Sequence, residues 1–594
     1  MLADVVEAAA SVIALPLVVF AYERALFPLY ASAPTQHFLI YFVGAALAAA
    51  SFWPYRISTT FKGLPAAAVY ALAPNASFLV AVYSARWKSP IWGPVFTHAT
   101  VLFPMLLSSG VFQSAGKSLL VKVLINATSF TLIWYGKDAL YRVEYLNSVS
   151  ENEVFLDLSF LYIAAAILRL PSILPPRPTV PKPEPKKGKK NKTEEKPAPE
   201  VSGEPSAMQS KSTILLVFIA LAATIYPKLA NSVLPHPLTE IYTHPSYPLQ
   251  ILQSTQSTTG LIVVGQSLDP LPNAEPRDRQ MSNVRYLRAA HSLLGGVWMG
   301  PKIWRTTPTN DSLGTPLGDS IYCAFTLQEA ARLVNSNPPA ENALIIGLGV
   351  GISASAFMRH GLDTTIVEID PAVYAASRDW FGLPDPGADR VFLEDARMWA
   401  AKRREMVESG ESKRYDIAVH DCFSGGSIPE HVFTVEMWED MKAILSSDGV
   451  LVVNFAGHVN SDPMRLVAHT LTTVFGQCRA FHDYYNTNDP VLLKGILEHD
   501  FINVVFFCTA SDVPMTFRPA NFDDFLGSAL RQRVLSELRE VDLKQVISNI
   551  PADKLDEFVV TDKNNPLGKL QLAQGDTHWT VMRDVLTDTF WETY

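Results

Sequence analysis

The chain is poor in cysteine, with four in 594 residues, at positions 323, 422, 478 and 508, and no CxxC pair. That excludes the ligand spacing of a zinc site and a dense disulfide framework, and the soluble part reads as a domain of a reducing compartment. Positive charge is also scarce. Lysine and arginine number 49 against 58 aspartates and glutamates, for a formal net charge of -9, so the clustered basic surface needed to recognise phosphate backbones is missing and nucleic acid is excluded as a partner. Charged residues make up 18% of the chain and apolar ones 48%, too few charges for an ordinary soluble protein and too many for one wholly immersed in lipid. At this length at least two structural units are expected.

Apolar stretches near the length of a bilayer crossing fill residues 1–170: Val5–Tyr30, Phe38–Trp53, Leu64–Tyr83, Ile91–Phe112, Leu119–Tyr135 and Val154–Leu170, predicting about six spans. Leu64–Tyr83 contains Pro74 and Asn75, and Val154–Leu170 contains Asp157, which makes these two the weakest. Met1–Ala10 has no basic residue and carries Asp4 and Glu7, unlike a signal sequence, so the first stretch reads as a retained span. Residues 171–211 turn to Pro, Lys, Glu and Ser, a linker composition that cannot offset the entropy of ordering. Residues 212–234 open with an apolar run between Lys211 and Lys228, about 24 Å long if helical, so either a short span or an interfacial helix. The Lys186–Lys192 cluster favours a cytosolic linker. A full crossing after it would put the soluble part outside the cytosol, whereas the lack of disulfide spacing favours a cytosolic placement, which is the expectation adopted.

Beyond residue 235 the pattern is soluble. A β-rich subdomain is predicted over 235–335, beginning with LQILQSTQSTTGLIVVG at Leu249–Gly265, where Gly260 marks a turn or bulge. A Rossmann-like α/β domain follows over 336–535, then an extension over 536–594. Ala343–Ile346 is a short apolar strand entering Gly347-Leu348-Gly349-Val350-Gly351, with a helical stretch from Ser353. Strand, glycine turn and helix together make a cradle in which the backbone meets a ligand at the positive end of a helix dipole. The next strand ends at Glu368, about 21 residues after Gly347, the spacing at which a carboxylate reaches both hydroxyls of a ribose. Asp370-Pro371 reads as a helix cap. Asp395, at the end of a third strand, is either an adenine contact or another cap. Asp421 ends a fourth strand, before Cys422-Phe423-Ser424-Gly425-Gly426. Carboxylates at successive strand ends line the crevice of an open α/β sheet.

These segments, together with YLRAAHSLLGG at Tyr286–Gly296, VEIDPAV, EDAR and LSSDGVLVVNFAG, resemble the polyamine aminopropyltransferases (spermidine and spermine synthases), and more closely their membrane-attached branch. The resemblance runs from about Leu249 to Gly457. It implies decarboxylated S-adenosylmethionine as co-substrate, a polyamine such as putrescine as acceptor, and no metal. It assigns Gly347, Gly349, Gly351 and Glu368 to the nucleoside, Asp395 to adenine, and Asp421 to general base. Gln250, Tyr286, His291 and Ser424 fall on the substrate side, and a homodimer is left open. A polyamine nitrogen is protonated near neutrality and must lose a proton before it can attack, which is the work a positioned Asp421 would do.

Two departures stand out. Val350 occupies a position that is acidic in the family, and Ser424 a position that is usually aspartate. Asp562, in the extension, is a candidate substitute. The alternatives are a methyltransferase using intact S-adenosylmethionine, and a non-enzymatic membrane protein that senses or transports polyamines. Cys422 reads as an inert thiol, His420 and His431 as loop-supporting residues more than proton shuttles, and Trp579 and Trp591 as anchors of the terminal helix. The expected protein is a multi-pass membrane enzyme.

Overall fold

A computed structural model describes residues 2–53, 64–114, 118–169 apart from 144, 147 and 148, and 233–594 apart from 305, 307, 336–338, 424, 425 and 427. The linker at 171–211 and the apolar run at 212–226 therefore lie outside the described residues.

The N-terminal part is helical. Its main elements are Leu2–Tyr30, Leu39–Phe52, Leu64–Ala85, a run from Trp92 to Ser114 with one π-helical turn at His98–Leu102, Leu119–Leu140 and Glu151–Arg169. Among the described residues four segments, Ser32–Phe52, Leu64–Ala85, Trp92–Phe112 and Leu119–Lys137, are long and apolar enough to cross a membrane by length and composition. Leu64–Ala85 qualifies despite Pro74. Glu151–Arg169 does not, and it carries Glu151, Glu153 and Asp157.

Five strands form the first sheet, in order β1 (Tyr242–Thr243), β2 (Leu249–Ser257), β3 (Gly260–Ser267), β4 (Val284–Ala289) and β5 (Ser292–Trp298), each antiparallel to the next. The predicted Leu249–Gly265 stretch is the β2–β3 hairpin, with Gly260 at φ +111°. A two-stranded ribbon, β6 (Thr309–Asn310) and β7 (Pro316–Leu317), follows.

The second sheet is built from β8 (Asn342–Ile346), β9 (Asp363–Val367), β10 (Val391–Phe392), β11 (Tyr415–His420), β12 (Leu445–His458), β13 (Gln477–His482), β14 (Phe501–Thr509) and β15 (Glu540–Val541). Its order is β10-β9-β8-β11-β12-β14-β13-β15. β8 to β12 pair in parallel, and β14 inserts antiparallel between β12 and β13. This is a Rossmann-like order with one antiparallel strand inserted near an edge. β8 and β11 are apolar and buried through their centres because helices cover both faces. The sheet runs a few residues past the boundary expected at 535, since β15 joins its edge.

Disulfide spacing was not expected, yet Cys478 on β13 and Cys508 on β14 are bonded, because the antiparallel register sets them opposite each other. A pairing made by strand register leaves no trace in sequence spacing.

The extension closes the molecule. The helix Leu572–Val585 lies between the helical bundle and the α/β domain. Trp579 donates its indole N–H to the Leu29 carbonyl at 2.8 Å and stacks on Tyr30. Asp576 meets His37 at 2.8 Å, and Glu592 pairs with Arg86 at 2.5 Å. One apolar core runs from the bundle through Trp579 and Trp591 into β2, β3 and β4.

Candidate active site

The sheet's direction of winding reverses between β8 and β11, the place where open α/β sheets leave a crevice at their carboxyl ends. Gly347 follows β8 and Asp421 follows β11. Gly347 has φ +80°, and a Cβ there would overlap the Asp421 carbonyl, so only glycine lets the two strand ends come this close. Over them opens a cavity of about 700 Å³, a volume suited to a nucleoside cofactor together with an acceptor. Five carboxylates line it, Glu368, Glu394, Asp395, Asp421 and Asp483, with no lysine or arginine among the lining residues described.

One half has the layout of a nucleoside site. Glu368 is 6% exposed. Its two oxygens accept the N–H of Leu348, at 2.7 Å, and of Asp370, at 2.9 Å, which leaves a lone pair on each for a diol. Burial pushes its carboxyl up to about 7, against the lowering effect of those two N–H groups. Asp370 caps the helix Pro371–Trp380 and is further held by Ser257 and Thr259, as the cap reading expects. Asp395 lines the cavity and also caps the helix Ala396–Glu408 through Oδ1. Its Oδ2 meets His431 Nε2 at 2.9 Å, and this contact is the main reason its carboxyl sits below the usual range. Cys422 lines the wall with its thiol pushed up by burial, the behaviour of an inert cysteine.

The other half is shaped for an acceptor. Asp421 accepts hydrogens from Gln328 Nε2 at 2.6 Å and Asn454 Nδ2 at 2.9 Å. Burial raises its pKa and these two amides partly offset the rise. Gln328 is aimed in turn by Ser353, whose hydroxyl donates to Gln328 Oε1 at 2.5 Å. Asn454 lines the cavity, and its Oδ1 is buried with no partner among the described residues. Beyond β13, Asp483 accepts the backbone N–H of Asn503 at 3.3 Å and its side-chain amide at 3.0 Å. Phe423, Phe501 and His578 form an aromatic wall, with ring centroids 5.2 to 6.5 Å apart. His578, Val581, Met582 and Val585 on Leu572–Val585 supply the roof.

Among the sequence-predicted residues, Gly347, Gly349, Glu368, Asp395 and Asp421 line the cavity, and Gly351 starts the adjoining helix at φ +74°. The expected substrate residues do not gather there. Gln250 bonds Thr243 and Gln266 across the first sheet. Tyr286 is fully buried beside Phe590. His291 stacks on Trp591 at 3.9 Å and faces Trp579, so the terminal helices make it a core residue. Ser424 lies outside the described residues. Asp562 is held by Thr434 and Arg397, away from the cavity. Val350 is 1% exposed and packs in an apolar cluster with Leu287 and Val297. His420 sits in the core against Phe433 and Trp438. The residues that sequence reasoning missed are Gln328, Asn454, Asp483 and Asn503. Amides carry no motif, and Asp483 reaches the site only through the antiparallel return of β14.

No family model matches the chain. A polyamine aminopropyltransferase of Vibrio vulnificus is 34% identical over 184 residues, covering 30% of this chain and 58% of that protein. A probable spermidine synthase structure from Corynebacterium glutamicum aligns with a TM-score of 0.32 at 18% identity, over 50% of this chain and 92% of that one. The N-terminal histidine N-methyltransferase of Emericella nidulans is 30% identical over 604 aligned residues, covering 96% of this chain and 94% of that protein, bundle, linker and catalytic half alike. The resemblance to aminopropyltransferases is thus a partial one, and the whole chain belongs to the family of the N-terminal histidine N-methyltransferase.

Proposed function

We propose that this protein is an S-adenosylmethionine-dependent methyltransferase that methylates a nitrogen of an amino-terminal histidine on a polypeptide. The observation that carries the reading is the full-length match, which spans the bundle as well as the catalytic half. The site supports it. An acid-lined cavity suits a sulfonium donor and a basic acceptor, and the aromatic wall of Phe423, Phe501 and His578 suits a flat imidazole. Glu368 would grip the ribose, Asp395 the adenine, and the Gly347–Gly351 turn the methionine portion.

Bound S-adenosylmethionine supplies a methyl group made electrophilic by its sulfonium. The residues of this chain do the rest. Asp421, fixed by Gln328 and Asn454, accepts a proton from the acceptor and turns a nitrogen lone pair toward the methyl carbon. The N–C bond forms as the C–S bond breaks, and the bonding pair stays on sulfur. The roof helix Leu572–Val585 excludes water while this happens.

A second reading, transfer of an aminopropyl group from decarboxylated S-adenosylmethionine to a polyamine, is favoured by one observation: among the described residues no lysine or arginine lines the cavity to receive a donor carboxylate. Mass spectrometry of products separates the two. S-adenosylhomocysteine with a histidine-terminated peptide supports the first, and methylthioadenosine with putrescine the second.

For surroundings, we propose a lipid bilayer around the four apolar helices. The Cys478–Cys508 bond supports placing the catalytic half in an oxidising compartment, in place of the cytosol expected from the sequence. Protease protection in sealed microsomes tests this, since a catalytic half digested without detergent would be cytosolic.

A further inference from the structure

Resting on the histidine reading, we propose that Asp483 binds the free α-ammonium group of the acceptor, so that this carboxylate, apart from the base Asp421, selects a chain terminus over an internal histidine.

An amino-terminal histidine carries two basic centres, its imidazole and its α-amine, and at neutral pH the amine is largely protonated. One carboxylate cannot both receive a proton from the reacting nitrogen and hold a permanent cation. The acceptor half of the cavity has a second carboxylate, Asp483. Its surroundings differ from those of carboxylates with structural work. Asp311 faces Arg285 at 2.6 Å, Glu329 faces Arg531 at 2.7 Å and Asp524 faces Arg518 at 2.7 Å. Asp370, which has no arginine, takes four hydrogens from Ser257, Thr259 and Ala372. Asp483, like Asp370, has no arginine, but it lines the cavity. It receives hydrogens from the Asn503 N–H and side-chain amide, the Ala324 N–H and its own N–H, and no cation is among the described groups acting on it.

An α-ammonium carries three N–H donors, and a carboxylate on the cavity wall with no described cation of its own is a group that can receive them. Asn503 fixes the orientation of Asp483 before the ligand arrives. This part of the anchoring is preorganised.

The test uses the full-length protein in detergent or nanodiscs, with S-adenosylmethionine and three peptides sharing one sequence. One begins with free histidine, one with Nα-acetylhistidine, and one with desamino-histidine, which keeps the imidazole and lacks the amine. Wild-type protein should favour the free peptide by about 100-fold in kcat/KM, the usual scale for losing one partner of a desolvated charge pair. In D483N the three peptides should become nearly equivalent, with the loss on the free peptide falling in KM, and D483E should restore part of the preference. Calorimetric binding of S-adenosylmethionine to each variant reports an intact fold. A D483N protein that binds the cofactor and keeps the preference overturns the proposal. Equal wild-type rates on free and desamino peptides overturn it with no variant needed. If wild-type protein methylates none of the peptides, the histidine reading itself falls and takes this one with it.

Discussion

Gln328 donates its side-chain amide to Asp421 across 2.6 Å, tying the end of β11 to a helix that begins before the glycine turn. The proposed base is therefore aimed by a residue outside its own loop, and the two can be separated by mutation. Asp421→Asn should lower kcat by about 100- to 10,000-fold, the range for losing a general base. Its affinity for S-adenosylmethionine should change little. Gln328→Ala should cost about 10-fold in kcat with KM near wild type, because it misaims a base that is still present. Steady-state kinetics with calorimetry checks both.

Glu368 makes pH a probe of the nucleoside half of the cavity. Its folded pKa of about 7 lies above an unfolded value of about 4.3. Between those values the folded protein holds the extra proton, so ligand-free stability should fall as pH rises from about 4 to 7 and then level off. The effect should be about 4 kcal/mol at most. In Glu368→Gln this part of the slope should vanish, and affinity for S-adenosylmethionine should drop about 10- to 100-fold through lost ribose contacts. Thermal melts across pH, with and without cofactor, measure both.

Val350 tests whether the missing family carboxylate can be put back. Its side chain faces Gly295, where an added Cβ would come within 2.7 Å, and it lies in an apolar cluster. Val350→Asp should bury an unpaired charge and destabilise the domain by about 3 kcal/mol or more, without creating aminopropyl transfer. Expression level, melting temperature and product analysis with decarboxylated donor give the answer.

The Cys478–Cys508 bond closes a separation of 30 residues. Chain entropy alone gives such a link about 3 to 4 kcal/mol. The Cys478→Ser and Cys508→Ser variants should each inactivate at a lower temperature. Cys422→Ser should stay near wild type, since that thiol has no partner in the chemistry.

How much the sequence revealed follows from how local each signal is. The Gly347–Gly351 turn and Glu368 were legible because one βαβ unit fixes their spacing. Asp370 was legible as a cap because proline follows it. Asp483 was not, since nothing near it marks it and its place depends on where β13 and β14 fall in the sheet. Tyr286 and His291 misled for the converse reason. Their polar atoms suggested a channel, but Trp579, Trp591 and Phe590, almost 300 residues further on, fold back and enclose them. The disulfide was hidden in the same way by strand register.

The helix Leu572–Val585 presents one side to the reaction and another to Leu29 and Tyr30. A soluble fragment starting near residue 236 would thus carry a ceiling with no joists: the Trp579 indole would lose its carbonyl and Asp576 its histidine. Whatever displaces Leu29 and Tyr30 in the bundle is felt, through this one helix, at the roof of the cavity.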